Sequence, residues 1–315
     1  MLVFGIDIGG SSIKGGVVRD TGEVLDHFMV EMDKYADPHD SIQILNEFLV
    51  DWLNTHHYDE EISGIGIGCP GILDKDTGVV AYSPNLPKWL NFNIKEFVEN
   101  YTHLPVKVIN DASAAVLGEA KFGSGKDYKN FIMITLGTGV GCGIIANGQL
   151  YDGNGGTGAQ LGHTVIEVNG RDCTCGRRGC IEAYASATAL IKETKKAMES
   201  HPDSLLNKVA NELGKVSARV PFMAEKQGDE VAHQIIEEYI KYLSEALLNI
   251  CNVFRPSAIA ISGGVANEGQ PFIDRIRKYI KDRNYGYTGS PVVEIKKAEL
   301  GYDSGKIGAA SLLFE

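Results

Sequence analysis

The chain has 315 residues, 43% of them apolar, and a formal net charge of −11. This length exceeds one ordinary hydrophobic core, so we expect two domains that fold without disulfides. Nucleic-acid binding is disfavoured, because contacts to phosphates need a concentration of lysine and arginine that this sequence does not show.

Six cysteines are present, and three of them cluster with a histidine, which fits a reducing compartment better than a secreted disulfide framework. Met1 leads directly into a strand-like segment without a signal peptide, and no apolar run approaches the roughly 18–20 residues of a membrane helix. We therefore expect a cytoplasmic protein that binds neither a membrane nor a nucleic acid.

An apolar segment at residues 2–8 predicts a buried strand that continues as a meander to residue 30. The turn at residues 9–12, Gly-Gly-Ser-Ser, leaves backbone N–H groups accessible, as a phosphate-binding loop requires. An ordinary hairpin is the alternative. Asp7 and Lys14 favour phosphate binding, because a carboxylate can hold a metal-bound water and a lysine can reach a phosphate oxygen.

A helical pattern at residues 41–53 and a strand at 62–67 predict a β-α-β unit. The turn at residues 68–73 and the loop at 83–87 then follow strand ends, where α/β folds place ligands.

A strand at residues 105–109 leads through Asn110 and Asp111 into a helix at 112–122. Aspartate at this position is commonly a helix N-cap. It also suits a general base: the helix dipole keeps the carboxylate ionised, so we expect it to act through its position rather than through a raised pKa. The two roles are compatible.

The strand at residues 131–136, the Gly-Thr-Gly turn at 137–139 and the strand at 142–146 repeat the pattern of the first hairpin. This internal echo predicts two related domains, each offering a phosphate turn to one nucleotide. A third turn, Ser-Gly-Gly at 262–264, follows a strand at 258–261 and opens a helix, where backbone N–H groups suit a nucleotide.

The stretch from His163 to Glu182 brings one imidazole and three thiols, those of Cys173, Cys175 and Cys180, into a short segment. A Cys₃His set is a complete tetrahedral shell for Zn²⁺ and leaves no ligand position open, so it predicts a structural zinc. A disulfide or three buried thiols are the alternative, but a disulfide would leave one thiol over.

The remaining pattern predicts helices at residues 183–198, 230–254 and 272–280. A strand follows at 292–295, and the last helix, at 303–314, begins with Asp303 as its expected cap.

Taken together, these motifs resemble the ROK family, which includes sugar kinases and repressors. The resemblance rests on the two Gly-rich turns, the Asn-Asp pair, the pattern G-H-x9-C-x-C-G-x2-G-C-x-E and the late S-G-G-V turn. It covers nearly the whole chain, and the zinc segment is its most specific part.

The resemblance implies an α/β protein with the two-domain actin-like, ribonuclease-H-like ATPase fold, with ATP and a sugar in the cleft. We expect a small N-terminal domain at residues 1–118, on which the final helix, about 303–315, packs back. A larger domain at 119–302 then carries the zinc loop.

Asp111 is the implied catalytic base. Nucleotide, phosphate and metal-water contacts are assigned to Asp7, Gly9, Gly10, Ser11, Lys14, Thr135, Gly137, Thr138, Gly139, Gly263 and Gly264. Sugar contacts are assigned to Gly71, Asn85, Asn110, Asp111, Gln160, His163 and Glu182.

The implied reaction is ATP-dependent phosphorylation of a hexose, foremost glucose, at its primary 6-hydroxyl. Asp111 accepts the hydroxyl proton, while Mg²⁺, Lys14 and the turn amides stabilise the transferring group. His163 binds zinc through one ring nitrogen and presents the other to the sugar, so zinc shapes the sugar pocket without touching the phosphates.

One position departs from the family pattern. Three residues before His163 the kinases have Glu, whereas this chain has Gln160, which loses a charge-assisted bond to a sugar hydroxyl. Altered selectivity and a non-catalytic sugar sensor are therefore both open. A kinase for N-acetylmannosamine, fructose or allose is a further alternative, because selectivity depends on the loops at residues 71–73 and 83–89.

A ROK-type repressor would need an N-terminal helix-turn-helix, and Met1 lies only a few residues before the first turn. We therefore expect a kinase rather than a repressor. By the same resemblance we expect a homodimer or homotetramer.

Overall fold

The chain is represented by a computed structural model, which describes residues 1–33, 35–83, 85–286, 289 and 291–314. Two compact units emerge from the backbone contacts. Unit 1 comprises Met1–Lys129, Gly143–Ala159 and Glu299–Glu315, and unit 2 comprises Asn130–Cys142 and Gln160–Ala298. The domain boundary expected after residue 118 stays a prediction.

In chain order, the strands are β1 (Leu2–Ile8), β2 (Ser12–Arg19), β3 (Val24–Glu31), β4 (Ile62–Cys69), β5 (Ile72–Leu73), β6 (Val80–Tyr82), β7 (Val106–Asn110), β8 (Phe131–Leu136), β9 (Val140–Ala146), β10 (Gln149–Leu150), β11 (Ala258–Ser262) and β12 (Glu294–Lys297). The helices are α1 (Pro38–Thr55), α2 (Ile94–Thr102), α3 (Asp111–Phe122), α4 (Glu182–Ala185), α5 (Ala187–Ser200), α6 (Leu205–Glu212), α7 (Arg219–Glu225), α8 (Glu230–Phe254), α9 (Gln270–Ile280) and α10 (Ser304–Ala310). None of these helices is both long and apolar enough to cross a membrane.

Unit 1 contains a five-stranded sheet with the order β3-β2-β1-β4-β7. Strands β1, β2 and β3 form an antiparallel meander, and β1, β4 and β7 are parallel. The central strand β1 is apolar and buried along nearly its whole length, as expected for a strand covered on both faces. The carboxyl ends of the three parallel strands therefore meet at one edge of the sheet.

Helix α1 covers part of this sheet because its apolar residues recur at helical spacing. Ile42, Leu45 and Leu49 are fully buried in the same core as β1. The helix begins after Asp37, whose carboxylate accepts a hydrogen bond from the His39 amide, and has proline as its first residue, as helix starts favour.

Helix α10 packs closely against helix α3 through glycines. A Cβ atom on Gly308 would overlap the carbonyl oxygen of Ala114, and one on Gly118 would overlap that of Ser304. The two backbones approach so closely that only glycine fits at these positions. The C-terminal helix thus supports α3, the helix that carries Asp111.

The second sheet has the order β10-β9-β8-β11-β12, which repeats the order of the first. Its strands β8, β11 and β12 are parallel. In unit 2, the long helix α8 has the bounds that the sequence predicted, and Asp229 caps it by accepting a hydrogen bond from the Ala232 amide at 2.7 Å. The glycine turns of the internal echo therefore occupy equivalent places, after the first strand of each sheet.

Three predicted elements differ from the structure. The helix predicted at 183–198 is interrupted at Ser186, whose extended backbone ends α4 and whose hydroxyl caps α5. The strand predicted at 292–295 is shifted to β12, because Val292 is exposed rather than buried. Asp303 precedes α10 but makes no capping bond; its carboxylate instead lies 2.8 Å from the ammonium of Lys306.

We predict that Gly308→Ala destabilises unit 1 even though alanine favours helices. The helix propensity of alanine exceeds that of glycine by about 1 kcal/mol, but forcing a methyl group against the Ala114 carbonyl costs about 1–3 kcal/mol or more. The free energy of unfolding in urea measures the balance. Gly10→Ala is the control, because a Cβ there meets no atom within 4 Å; equal stability of the two variants would contradict the close packing.

Candidate active site

Two carboxylates lie at the edge of the first sheet where its parallel strands end. Asp7 is opposite Gly68 in the β1–β4 pairing, and Asn110 is opposite Cys69 in the β4–β7 pairing. Asp111 follows as the first residue of α3. The register therefore brings the carboxylates of Asp7 and Asp111 towards each other, at the edge where α/β sheets bind ligands.

The N-cap of α3 is Asn110 and not Asp111, so the capping role proposed for Asp111 is wrong. The Asn110 side-chain oxygen accepts hydrogen bonds from the amides of Ala112 and Ser113, and its Nδ2 donates to the Gly71 carbonyl at 2.9 Å. Because Asn110 satisfies the helix start, the Asp111 carboxylate is available for chemistry, although one of its oxygens also accepts from the Ala112 amide.

Burial raises the pKa of Asp111, and this outweighs the backbone hydrogen bonds that lower it. The prediction from the helix dipole, that Asp111 acts without a raised pKa, is therefore wrong. A carboxylate with a raised pKa is a stronger base when ionised, so Asp111 gains basicity as well as position.

Burial and the neighbouring charge of Asp111 raise the pKa of Asp7 from 3.8 to about 6. The ammonium groups of Lys14 and Lys306 act in the opposite direction. Gly305 lies against the same carboxylate, since a Cβ there would be 3.1 Å from its carbon. Two adjacent, partly buried carboxylates with incomplete charge compensation have the chemistry of an oxygen-ligand site for Mg²⁺.

Lys306 was missed by the sequence analysis. It is 5% exposed, and its ammonium lies 2.8 Å from Asp303 and 2.9 Å from His27 Nδ1. The only signal in the sequence was a lysine in an otherwise apolar and glycine-rich helix. Its effect on the pKa of Asp7 makes it part of the electrostatics of the site.

The first glycine turn is closed by a hydrogen bond from the Gly9 amide to the Ser12 carbonyl at 2.9 Å. Gly10 has open space around it, and Ser11 is exposed. Lys14 is directly opposite Asp7 in the β1–β2 pairing, and its ammonium lies 5.5 Å from the ring centroid of Tyr302. The turn therefore has the accessible amides and the cation that the phosphate hypothesis requires.

Two other residues of unit 1 are assigned to the sugar. Gly71 contacts Asn110 beside Asp111, whereas Asn85 does not. Gly71 has φ +111°, a Cβ there would overlap the Tyr82 carbonyl, and its own carbonyl accepts from Asn110. Asn85 is exposed, and no hydrogen bond or ion pair among the described residues joins it to Asn110. Pro84, within the predicted loop, lies outside the described residues.

Unit 2 brings its two glycine turns together at the edge of the second sheet. Thr135 pairs with Ser262 at the ends of the parallel strands β8 and β11. Gly263 has φ +89°, and a Cβ there would overlap the Leu136 carbonyl, so the turn that continues to Gly264 packs on the turn that begins after β8. Within the latter, the Gly137 amide donates to the Gly139 carbonyl at 3.1 Å, and Thr138 is exposed.

The four predicted zinc ligands form one cluster in unit 2. The ligand atoms of His163, Cys173, Cys175 and Cys180 all lie within 4.8 Å of one another. Cys175 Sγ is 3.8 Å from Cys180 Sγ, and Cys173 Sγ is 3.6 Å from His163 Nδ1. A tetrahedron with Zn–S distances of about 2.3 Å has sulfur–sulfur edges of about 3.8 Å. The donor set and its spacing therefore fit Zn²⁺.

The disulfide alternative is wrong for this cluster, since all six cysteines are free. His163 faces the thiols through Nδ1, so its Nε2 is on the far side of the ring. Its backbone carbonyl accepts from Arg177 at 3.1 Å, which holds the residue within the loop.

Glu182 and Gln160 lie on either side of the zinc ligands in the chain. The Glu182 carboxylate accepts from the Val140 amide at 3.1 Å and from the Thr174 hydroxyl at 2.9 Å. Gln160 is exposed, and its backbone carbonyl accepts from the His163 amide at 3.0 Å. Glu182 thus belongs to the packed part of the site, whereas the Gln160 side chain does not.

Two sheets of the same order, each with a glycine turn after its first strand, define the actin-like, ribonuclease-H-like ATPase fold. A crystal structure of a ROK family glucokinase from Streptomyces griseus in complex with glucose and AMPPNP is similar, with a TM-score of 0.84, 33% identity and 99% coverage of both chains. The ROK family pattern matches residues 3–315, so the chain belongs to the ROK family.

Relatives within this family fall into two kinds. A glucokinase of Thermotoga maritima is 34% identical over 99% of this chain and 97% of its own length. A xylose repressor of Bacillus subtilis is 29% identical over 99% of this chain and 76% of its own length. The family therefore includes both enzymes and regulators.

We predict that Asp7→Asn stabilises the fold at high pH. Because the folded protein holds the Asp7 proton more tightly than the unfolded chain does, the ionised carboxylate costs stability above pH 6 and the cost fades as the pH falls towards 3.8. A pKa difference of this size corresponds to up to about 3 kcal/mol.

Urea unfolding at pH 8 and pH 5 measures this effect. Asp7→Asn should exceed the wild type in unfolding free energy at pH 8, with about half of the gain remaining at pH 5. Asp51→Asn, at an exposed position of α1, is the control and should show no such pH dependence. A gain that is independent of pH would mean that the Asp7 charge is not its cause.

For the metal cluster we predict one zinc per chain in the purified protein and substantially less in Cys175→Ser. The loss removes one of four ligands, and a structural zinc contributes directly to folding, so the variant should also unfold at a lower temperature. Zinc is measured by elemental analysis. Cys251→Ala, at a buried thiol outside the cluster, should keep its zinc; full zinc in Cys175→Ser would refute the assignment.

Proposed function

We propose that the protein phosphorylates a hexose at its primary 6-hydroxyl with ATP, and that the hexose is glucose. The observation that carries this proposal is the pair of carboxylates at the edge of the first sheet. Asp111 supplies a base with a raised pKa, and Asp7 supplies a second carboxylate beside a phosphate-binding turn. A sugar sensor would need Asp111 only as a sugar contact and would need no carboxylate beside a phosphate-binding turn.

Relatives support the choice of sugar. The Thermotoga maritima protein is a glucokinase, and the Streptomyces griseus structure contains glucose and AMPPNP. Both align with this chain over nearly its full length. The exposed amide at Gln160 favours a second candidate, a kinase of this type with altered hexose selectivity such as one for N-acetylmannosamine, fructose or allose.

In the proposed mechanism, Asp111 accepts the proton of the sugar hydroxyl as that oxygen attacks the γ-phosphorus. Asn110 caps α3 and ties its start to Gly71, so the base is held on a rigid helix end rather than on a loop. Asn110 keeps one Nδ2 hydrogen for a sugar hydroxyl. Gly71, Asn85 and Gln160 are further proposed sugar contacts.

Charge on the transferring group is stabilised by Lys14 and by the amides of Gly10 and Ser11, in the turn that the Gly9 amide closes. Asp7 is the residue that would hold the Mg²⁺ of the nucleotide, directly or through water, and Mg²⁺ supplies neutralisation of phosphate charge. Phosphate and base contacts from unit 2 are proposed for Thr135, Gly137, Thr138, Gly139, Gly263 and Gly264.

In unit 2, His163 is proposed to bind zinc through Nδ1 and a sugar hydroxyl through Nε2, with zinc fixing the tautomer. Glu182 is a further proposed sugar contact. Free thiols throughout the chain support a cytoplasmic location. We also propose a homodimer or homotetramer, which light scattering would test.

The proposal predicts ADP release with ATP, Mg²⁺ and glucose in a coupled assay across a panel of hexoses. Asp111→Asn should lower kcat at least about 100-fold, since general-base catalysis contributes about 10²–10⁴, and should leave sugar affinity within about tenfold. Asp51→Asn is the matched control and should be fully active. Retention of about a tenth of kcat by Asp111→Asn would exclude it as the base, and sugar binding without any turnover would indicate the sensor.

A further inference from the structure

The Glu182 carboxylate connects two parts of unit 2 that the proposed function treats separately. One oxygen accepts from the backbone amide of Val140, which directly follows the phosphate turn at residues 137–139. The other accepts from the hydroxyl of Thr174 and lies 3.6 Å from Cys173 Sγ, so it faces the metal loop. One side chain thus bridges the phosphate turn and the zinc loop.

Packing reinforces this bridge at both ends of the zinc segment. A Cβ on Gly139 would overlap the Glu182 carboxylate, and a Cβ on Gly162, the neighbour of His163, would overlap the Val140 carbonyl. The metal segment therefore touches the backbone at Val140 twice, once before its first ligand and once after its last. Displacement of the loop would displace the turn.

The hydrogen bonds of Glu182 come from neutral donors. Among the ion pairs of the described residues none includes Glu182, and its carboxylate accepts from an amide, a hydroxyl and, over a longer distance, the Cys173 thiol. Hydrogen bonds to a charged group are stronger than those between neutral groups. Loss of the Thr174 hydroxyl would therefore remove the shorter of the two contacts to one carboxylate oxygen and loosen the side chain that holds Val140.

We propose that Thr174 and Glu182 couple zinc binding to nucleotide binding, with Thr174 as a positioning residue for the phosphate turn. This inference rests on the proposed function, in which the turn at 137–139 binds phosphate. It extends the sequence-based expectation that zinc shapes the sugar pocket without touching the phosphates, because zinc would act on the phosphate turn indirectly through Glu182. Occupancy of the metal loop sets the position of Val140 and thereby the affinity for the nucleotide.

The first test separates nucleotide from sugar binding in Thr174→Val, which keeps all four metal ligands and the size of the side chain. Calorimetry with AMPPNP and with glucose should show a nucleotide Kd raised about tenfold, within the usual range of coupling between sites, and one zinc per chain. The sugar Kd should rise by less than the nucleotide Kd, because Glu182 is only one of several proposed sugar contacts. Thr174→Ser keeps the donor and should restore the nucleotide Kd.

The matched control is Thr164→Val, in the same loop. The Thr164 hydroxyl donates to the Leu161 carbonyl at 2.7 Å and not to Glu182. This variant should bind AMPPNP as the wild type does. If it weakens nucleotide binding as much as Thr174→Val does, or if Thr174→Val binds AMPPNP normally, the coupling through Glu182 is overturned.

The second test uses linkage and needs no turnover. If zinc raises nucleotide affinity, AMPPNP must raise zinc affinity by the same factor, so saturating AMPPNP should increase the zinc that the wild type retains at equilibrium with a competing chelator. This increase should be reduced in Thr174→Val and kept in Thr164→Val. An equal increase in all three proteins would overturn the proposal.

Failure of the coupling can be distinguished from failure of the proposed function. A wild type that phosphorylates sugar and binds AMPPNP, but retains the same amount of zinc at equilibrium with a chelator with and without AMPPNP, overturns the coupling alone. A zinc-replete wild type that binds no AMPPNP overturns both.

Discussion

The free-energy cost of holding two partly buried carboxylates close together is the main constraint on the structure of unit 1. Asp7 and Asp111 lie at the common edge of three parallel strands, and burial raises the pKa of both. Close backbone packing elsewhere in unit 1 offsets the free-energy cost of this arrangement. Helix α10 contributes most directly, because it presses on α3 through Gly308 and brings Lys306 towards Asp7. In the proposed function, the cation that accompanies the nucleotide compensates the charge of the two carboxylates.

The same helix explains why the C-terminal residues belong with the first sheet. Residues 299–315 cluster with unit 1 although more than 170 residues separate them from α3. Gly305 lies against the Asp7 carboxylate, Gly308 packs against Ala114 of α3, and the charge of Lys306 lowers the pKa of Asp7. A short helix of seven residues is marginal alone, so its stability comes from this packing.

Sequence patterns correctly predicted those elements whose formation depends mainly on residues close together in the chain. The apolar strands, the glycine turns, helix α8 and the metal cluster lie where periodicity and ligand chemistry placed them. Short amphipathic helices such as α2 and α6 were missed, since nine and eight residues contain too few apolar positions for a periodic signal. The cap of α3 and the raised pKa of Asp111 depend on the Asn110–Gly71 contact and on burial, which are tertiary features that spacing along the chain does not show.

The two phosphate turns occupy equivalent positions in their sheets but are supported by different chemistry. The first is flanked by charged groups, Asp7 and Lys14, that face each other across β1 and β2. Beside the second turn, the register of the parallel strands β8 and β11 places Thr135 opposite Ser262. Support for the second turn comes from the Glu182 carboxylate, which is in turn held by the metal loop. The repeated strand order explains the common position of the turns. The support of the second turn by Glu182 is the contact through which the proposed coupling connects the metal loop to the nucleotide.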